Sequence, residues 1–438
     1  MKKLRESDYY LARKRYQRFL KEQEGNKRNK SKSSTPAYVS APINLLNALA
    51  HVDLFRPHHH KLDINIPTNF SIIHNPKETL KLICSFPKTI RAHQQRVKEI
   101  NVDHGKMKEV DLAAESILDF LILDMEREEK NKKKKMKLGG HFPENLELRR
   151  YLRAMGIIKN LDIKHEMLSK EEESILRIFS MKNRGALQKI SPGTPDVKER
   201  TVKEFVDHIN SCLDDHGLEL TESGRASLSQ YTGEILGNAE EHSGLRDWTI
   251  AGYLDKDHKA HLSEIAIFNF GKTIAETFKE LPLYSFAYEI VRPYVEAHKK
   301  RSLFGASWTE DDLLTLVALQ GHISSKRTPE RPDRGQGTVD LIEFFQNVHH
   351  ECLQDATREC EATMAIVSGN THILFDGTYK MQDDSLGRKV IAFNKNNDLN
   401  EPPDSNYVTN MGEVYFPGVI IGIRFPMAAS QTKEVRNG

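Results

Sequence analysis

The chain is 438 residues long, with 38% hydrophobic and 29% charged residues and a formal net charge of +2. That length exceeds one ordinary core, and that balance excludes an intrinsically disordered protein. No apolar run approaches the roughly 20 residues a bilayer crossing needs, and Met1–Tyr10 has charge without the apolar stretch of a secretory signal.

Charge is uneven along the chain. Residues 1–36 hold twelve Lys/Arg against four Asp/Glu, which leaves about −6 for the remainder. Such a basic segment reads as a solvated helix over Tyr9–Glu24 with a frayed tail, and a nucleic-acid contact is the alternative. Ser31–Pro36 is the linker that ends it. Leu62–Ile66 alternates with period two and predicts a strand closed by Pro67, whereas Pro76–Phe86 and Leu112–Met125 carry helical spacing. Arg127–Lys137, with seven basic and two acidic residues, predicts an exposed loop or helix end. A helix opening at Phe142 stops at Gly156, a charged helical stretch runs from Lys164 to Met181, and Ser191–Pro195 marks a domain boundary.

Beyond that break the pattern predicts helices over Thr201–Leu213 and Ser223–His242, then strands at Trp248–Leu254 and Ser263–Asn269. A helix from Gly337 to about Glu359 and strands at Ala362–Val367, His372–Phe375 and Val419–Phe425 follow. Helices on one face of a mixed sheet make this an α+β sandwich.

Three short segments concentrate the chemistry. On one helix, Glu234, Asn238 and Glu241 stand at i, i+4 and i+7 and share a face, followed by His242. Two carboxylates and a carboxamide beside apolar Ile235 and Leu236 suit a magnesium–phosphate site, with waters filling the remaining coordination. Ile265–Ile274 is a strand running through Asn269 into a turn at Gly271 and Thr273. Arg334-Gly335-Gln336-Gly337-Thr338 opens a helix, where glycines let backbone N–H groups approach phosphate.

In this order the segments resemble the N, G1 and G2 boxes of the GHKL family, the ATP-binding fold of histidine kinases, gyrase B and anti-sigma-factor kinases. The resemblance covers about 200–426, and Pro417–Pro426 is similar to that fold's last strand. It implies a GHKL (Bergerat-type) α/β sandwich binding ATP with Mg2+. Asn238 would hold the metal, with Glu241 and His242 near the phosphates, and Glu234 would activate water. Gly335 and Gly337 would cradle phosphates along with Gln336 and Thr338, and Ser324–Arg334 would form a lid with Lys326, Arg327 and Arg334 as its cations. Three departures stand out. The adenine-reading Asp is Asn269 and the second glycine is Thr273, while the Thr that usually follows the last strand's glycine is Val419. An Asn can flip to suit guanine, so base selection is expected to be weaker.

The N-terminal half resembles, more loosely, the STAS-like domains that regulate anti-sigma kinases. The expected plan is a basic tail (1–36), a STAS-like domain (37–163), a helical linker (164–200), the GHKL domain (201–428) and a tail (429–438). It implies a cytoplasmic ATP-driven switch with slow hydrolysis, acting on a protein partner (STAS-like or another effector) or as a homodimer. A Ser/Thr protein kinase and a non-catalytic interaction module are the alternatives.

Other polar residues point elsewhere only weakly. His58–His60, and His349, His350, Cys352 and Cys360, lack paired zinc-ligand spacing. His165 and His208 sit in no two-helix hairpin of the kind a phospho-accepting histidine needs. Cys84, Cys212, Cys352 and Cys360 form no C-x-x-C pair and are expected as reduced thiols.

Overall fold

Strand, helix, strand, helix, strand, helix is the order of the N-terminal half. Helix α1 (Ala41–Leu49) precedes β1 (Lys61–Asn65), β2 (Asn69–Phe70), α2 (Pro76–Ala92) and β3 (Glu99–Asp103). Then come β4 (Glu109–Val110), α3 (Leu112–Asn131), β5 (Lys137–His141) and α4 (Leu146–Met155). The computed structural model describes residues 40–49, 54–93, 96–131, 136–156, 168–184, 196–214, 218–256, 262–283, 285–305, 307–321, 323, 336–354, 362–426 and 432–434. The basic segment 1–36 and the lid cations Lys326, Arg327 and Arg334, with Gly335, lie outside them.

β1, β3 and β5 form a parallel three-stranded sheet in that order, joined by helical crossovers, and β2 pairs with β4. Local chemistry sets the ends. Pro76 starts α2, where its missing N–H costs nothing, and Asn145 caps α4 by accepting from the Leu148 N–H at 3.0 Å.

The second half contains α5 (Lys170–Ile175), β6 (Leu176–Arg184), α6 (Val197–Asp214), β7 (Leu218–Leu220), α7 (Glu222–His242), β8 (Asp247–Asp255) and β9 (Leu262–Phe270). It continues with α8 (Ile274–Lys279), α9 (Phe286–Lys300), α10 (Glu310–Val317), α11 (Gln336–Gln354), β10 (Thr363–Gly369) and β11 (Thr371–Phe375). β12 (Gln382–Asp383), β13 (Lys389–Val390), β14 (Val408–Asn410), β15 (Phe416–Pro426) and β16 (Thr432–Glu434) complete it. Seven strands make the main sheet in the order β14-β11-β10-β15-β9-β8-β6, while β12 pairs with β13 and β16 with β7.

The architecture is α+β, and it corrects the expected details in three places. Every ladder of the main sheet is antiparallel, not mixed. The stretch expected as a helical linker supplies β6, paired along its whole length with β8. Leu176 and Ile178 face one side of the sheet and Phe179 and Met181 the other, a period-two pattern interrupted by Arg177 and Lys182.

The third correction concerns coverage. Both faces of the sheet are buried, and β8 is buried at every position. One face carries α6, α7, α8, α10 and α11 over a core that includes Ile265, Ile267 and Trp248. The other carries α3, so the N-terminal unit closes its core on the sheet instead of standing apart. Phe120 of α3 stacks on Phe270 at 5.3 Å and meets Phe268 edge-on at 5.7 Å. Beside it, Glu264 of β9 accepts from the Leu112 N–H at 2.7 Å at the start of α3 and from Arg424 Nη2 at 3.2 Å. A carboxylate reaching out of the sheet thus satisfies a helix N-terminus in the neighbouring unit.

Candidate functional site

A cavity of about 390 Å³ lies between α7 and the sheet, inside the ~300–1,000 Å³ range of small-molecule sites. Its floor is set by register. Asn269 of β9 pairs with Val419 of β15, and two residues along the same face Ile267 pairs with Ile421, itself opposite Ile366 of β10. These five side chains all line the cavity. Ser368, opposite Val419, continues the first row but is engaged elsewhere. It accepts from the Ile274 N–H at 2.8 Å and donates to the Gly418 carbonyl at 3.2 Å, fixing α8 against the floor.

Asn269 is 7% exposed, and its amide makes no hydrogen bond to another described residue. A buried carboxamide that faces a cavity with its polar atoms unmet calls for a ligand or water.

The wall comes from the last three turns of α7. Glu234, Asn238, Glu241 and His242 all line the cavity, with Ile235 and Ala239 between them. Helical spacing puts these polar groups on the cavity side while Leu236 enters the core, fully buried. Thr221 caps the helix by accepting from the Gly224 N–H at 3.0 Å. Opposite, Thr338 in the first turn of α11 also borders the cavity, so that helix points its N-terminal end toward it. Gln336 and Gly337 form the start of the same helix.

The turn after β9 is more structural than expected. Gly271 does not line the cavity. It has φ of +135°, and any Cβ there would run into the Ser243 carbonyl. Its N–H donates to the Pro417 carbonyl at 3.0 Å and the Lys272 N–H to the Ser243 carbonyl at 3.0 Å, tying the end of β9 to β15 and to the end of α7. Thr273 lines the cavity and also caps α8, in a capping box with Glu276. Threonine at the place of a second glycine is therefore a helix start.

The structure brings together Glu234, Asn238, Glu241, His242, Asn269, Thr273 and Thr338 from segments far apart in sequence. It adds residues to which the motifs assign no role: Lys272 within the second segment, and outside all three Lys198 of α6, Thr277 and Phe278, and the apolar Leu319 and Ile323 after α10. Lys272 is closed by Glu280, at 2.8 Å. Among the described residues no three His, Cys, Asp or Glu side chains gather as a metal site, and no helix is long and apolar enough to cross a membrane. Cys84 and Cys212 are free thiols, and burial pushes that of Cys84 up to about 12. The chain matches no family model, no curated protein and no solved structure.

Proposed function

We propose that the protein binds ATP with magnesium in this cavity and works as an ATP-driven regulatory switch. The observation that carries the proposal is the meeting of all three motif segments around one cavity, with hard oxygen groups on the α7 wall and an apolar floor beneath. A flat base suits the floor of Ile267, Ile366, Val419 and Ile421, and Asn269 supplies a hydrogen-bonding edge for it. Phosphates suit the side where Glu234, Asn238 and Glu241 face the first turn of α11. The GHKL resemblance assigns Asn238 to the metal and Glu234 to the attacking water, and places Asn269 where that family reads the base.

The donor set fits magnesium better than a transition metal. One exposed carboxamide, Asn238, with scattered carboxylates and no three-ligand cluster among the described residues suits an ion that keeps several waters and takes phosphate oxygens. Magnesium would supply charge neutralisation of the phosphates. Glu234, on the same helix face, is the carboxylate available to accept a proton from an attacking water. Bound nucleotide favours one interdomain or dimer arrangement, and hydrolysis releases it. The partner, the cytoplasmic setting and the STAS-like character of the N-terminal unit are parts of the same proposal.

Thermal shift of the purified protein with ATP, GTP and a non-hydrolysable ATP analogue, each with magnesium, tests it against Asn238→Ala. A stabilisation by nucleotide that is lost in the variant is expected, followed by loss of turnover in Glu234→Ala with binding kept. No shift up to millimolar nucleotide would mean that the cavity binds none of them, and a non-catalytic interaction module would then be the better description.

A further inference from the structure

Lys198 occupies an unfavourable position for a lysine. It stands in the first turn of α6, where its backbone N–H donates to Asp196 Oδ1 at 2.9 Å, so its cation sits at the positive end of the helix dipole. A cation held there gains from a compensating negative group.

The path of its side chain runs along α7 past two glycines. α6 crosses α7 along the face of Gly233 and Gly237, where a Cβ would lie 3.8 Å from Val202 Cγ2 and 3.6 Å from Lys198 Nζ respectively. The ammonium thus lies against α7 at Gly237. Gly237 precedes Asn238 and is one turn from Glu234, so Lys198 joins the wall of the cavity beside them.

What neutralises it there is incomplete. Among the described residues its ion partner is Glu240, at 3.9 Å, beyond hydrogen-bonding distance. The other oxygen of that carboxylate accepts from Trp248 Nε1 at 2.9 Å and from Asn183 Nδ2 at 2.9 Å, which fixes Glu240 to the sheet. Lys198 keeps its three N–H donors for another acceptor, whereas Lys272, the second lysine on the cavity, is held by Glu280.

We propose that Lys198 is a phosphate-binding residue of this site, directing its ammonium to the terminal phosphates of a bound nucleoside triphosphate. The inference rests on the nucleotide reading of the cavity and adds to it a cation from a helix outside all three motifs.

Titration calorimetry of the full chain with Mg-ATP, Mg-ADP and AMP tests it, in wild type, Lys198→Met and Lys198→Arg. Methionine keeps an unbranched apolar stem but not the charge. The expected result is at least about tenfold weaker ATP binding in Lys198→Met, the scale of one charge-assisted hydrogen bond. The loss is smaller for ADP and absent for AMP, and arginine restores most of the ATP affinity. Equal losses for all three nucleotides, or unchanged ATP affinity in a variant whose wild type binds ATP, would overturn the assignment of Lys198 alone. A wild type that binds none of them overturns the nucleotide reading itself, and with it this one.

Discussion

Asn269 offers the cavity both a donor and an acceptor, and no described neighbour fixes which way its amide is turned. Facing the 6-position of a purine, it can accept from an amino group and donate to N1, or flip to donate to a keto oxygen and accept from N1–H. The wild-type protein is therefore expected to bind ATP and GTP within about tenfold of each other, since neither base leaves a polar group of the site unmet. Asn269→Asp removes the donor. In competition binding, that variant should keep ATP and lose about 10- to 100-fold for GTP, because its carboxylate faces the keto oxygen. An unchanged ATP-to-GTP ratio would show that residue 269 does not read the 6-position. The polar hydroxyl of Ser368 in the same row cannot take over, because it already links the Ile274 N–H and the Gly418 carbonyl.

At the level of elements, the rim of the cavity depends on a bulge. Ser368 pairs with Val419 but the next residue, Gly369, pairs with Phe416, so Pro417 and Gly418 bulge out of the ladder between β10 and β15. Gly418 takes φ of +139° there, and a Cβ on it would run into the Asn269 carbonyl of β9. Gly418→Ala should cost about 3 kcal/mol or more, since a strand backbone on either side cannot give way. Gly422 in the same strand is different: an added Cβ would meet Ala113 Cβ at 3.4 Å and Ile73 Cγ1 at 3.7 Å, ordinary contacts. Gly422→Ala should change stability by less than about 1 kcal/mol, and urea unfolding of both variants compares them directly; similar losses would mean that the bulge is not rigid. Elements of this kind were legible in part. Helical spacing marks α7, and the run Ile265–Phe270 marks a strand, because those signals are local. Antiparallel pairing and two-sided burial are not local: Phe268 and Phe270 read as core, but only the position of Phe120 reveals which core. β6 was hidden by charge, since Arg177 and Lys182 lie on an edge strand where solvent accepts them. Lys198 was hidden because its role depends on a helix crossing at Gly233 and Gly237, which no spacing within α6 records.

Across the whole molecule, β9 works on both of its sides. Odd-numbered Ile267 and Asn269 face the cavity, while even-numbered Glu264, Phe268 and Phe270 hold α3 and the N-terminal unit. Two histidines bracket that shared sheet. His208 of α6 stacks on Phe179 of β6 with ring centroids 5.4 Å apart. His372 of β11, 4% exposed, is buried against the backbone at Ile72 and Ile73 of the N-terminal unit. Burial pushes both imidazoles down to about 4, with Arg177 adding to the effect on His208 and His74 on His372. Each stays neutral in the folded protein while the unfolded chain takes up a proton near pH 6.5. Between those values the unfolded state binds more protons, so stability is complete above about pH 6.5 and falls as the pH drops toward 4. Full development of the effect amounts to about 3 kcal/mol per histidine. Urea midpoints measured from pH 7 down to pH 5, above the range where most carboxylates titrate, should decline in the wild type. His208→Gln and His372→Gln should each remove a share of that slope, because glutamine takes up no proton in either state. Parallel acid profiles for the wild type and both variants would mean that these imidazoles do not set the acid sensitivity, and that neither face of the sheet excludes a charge as its burial implies.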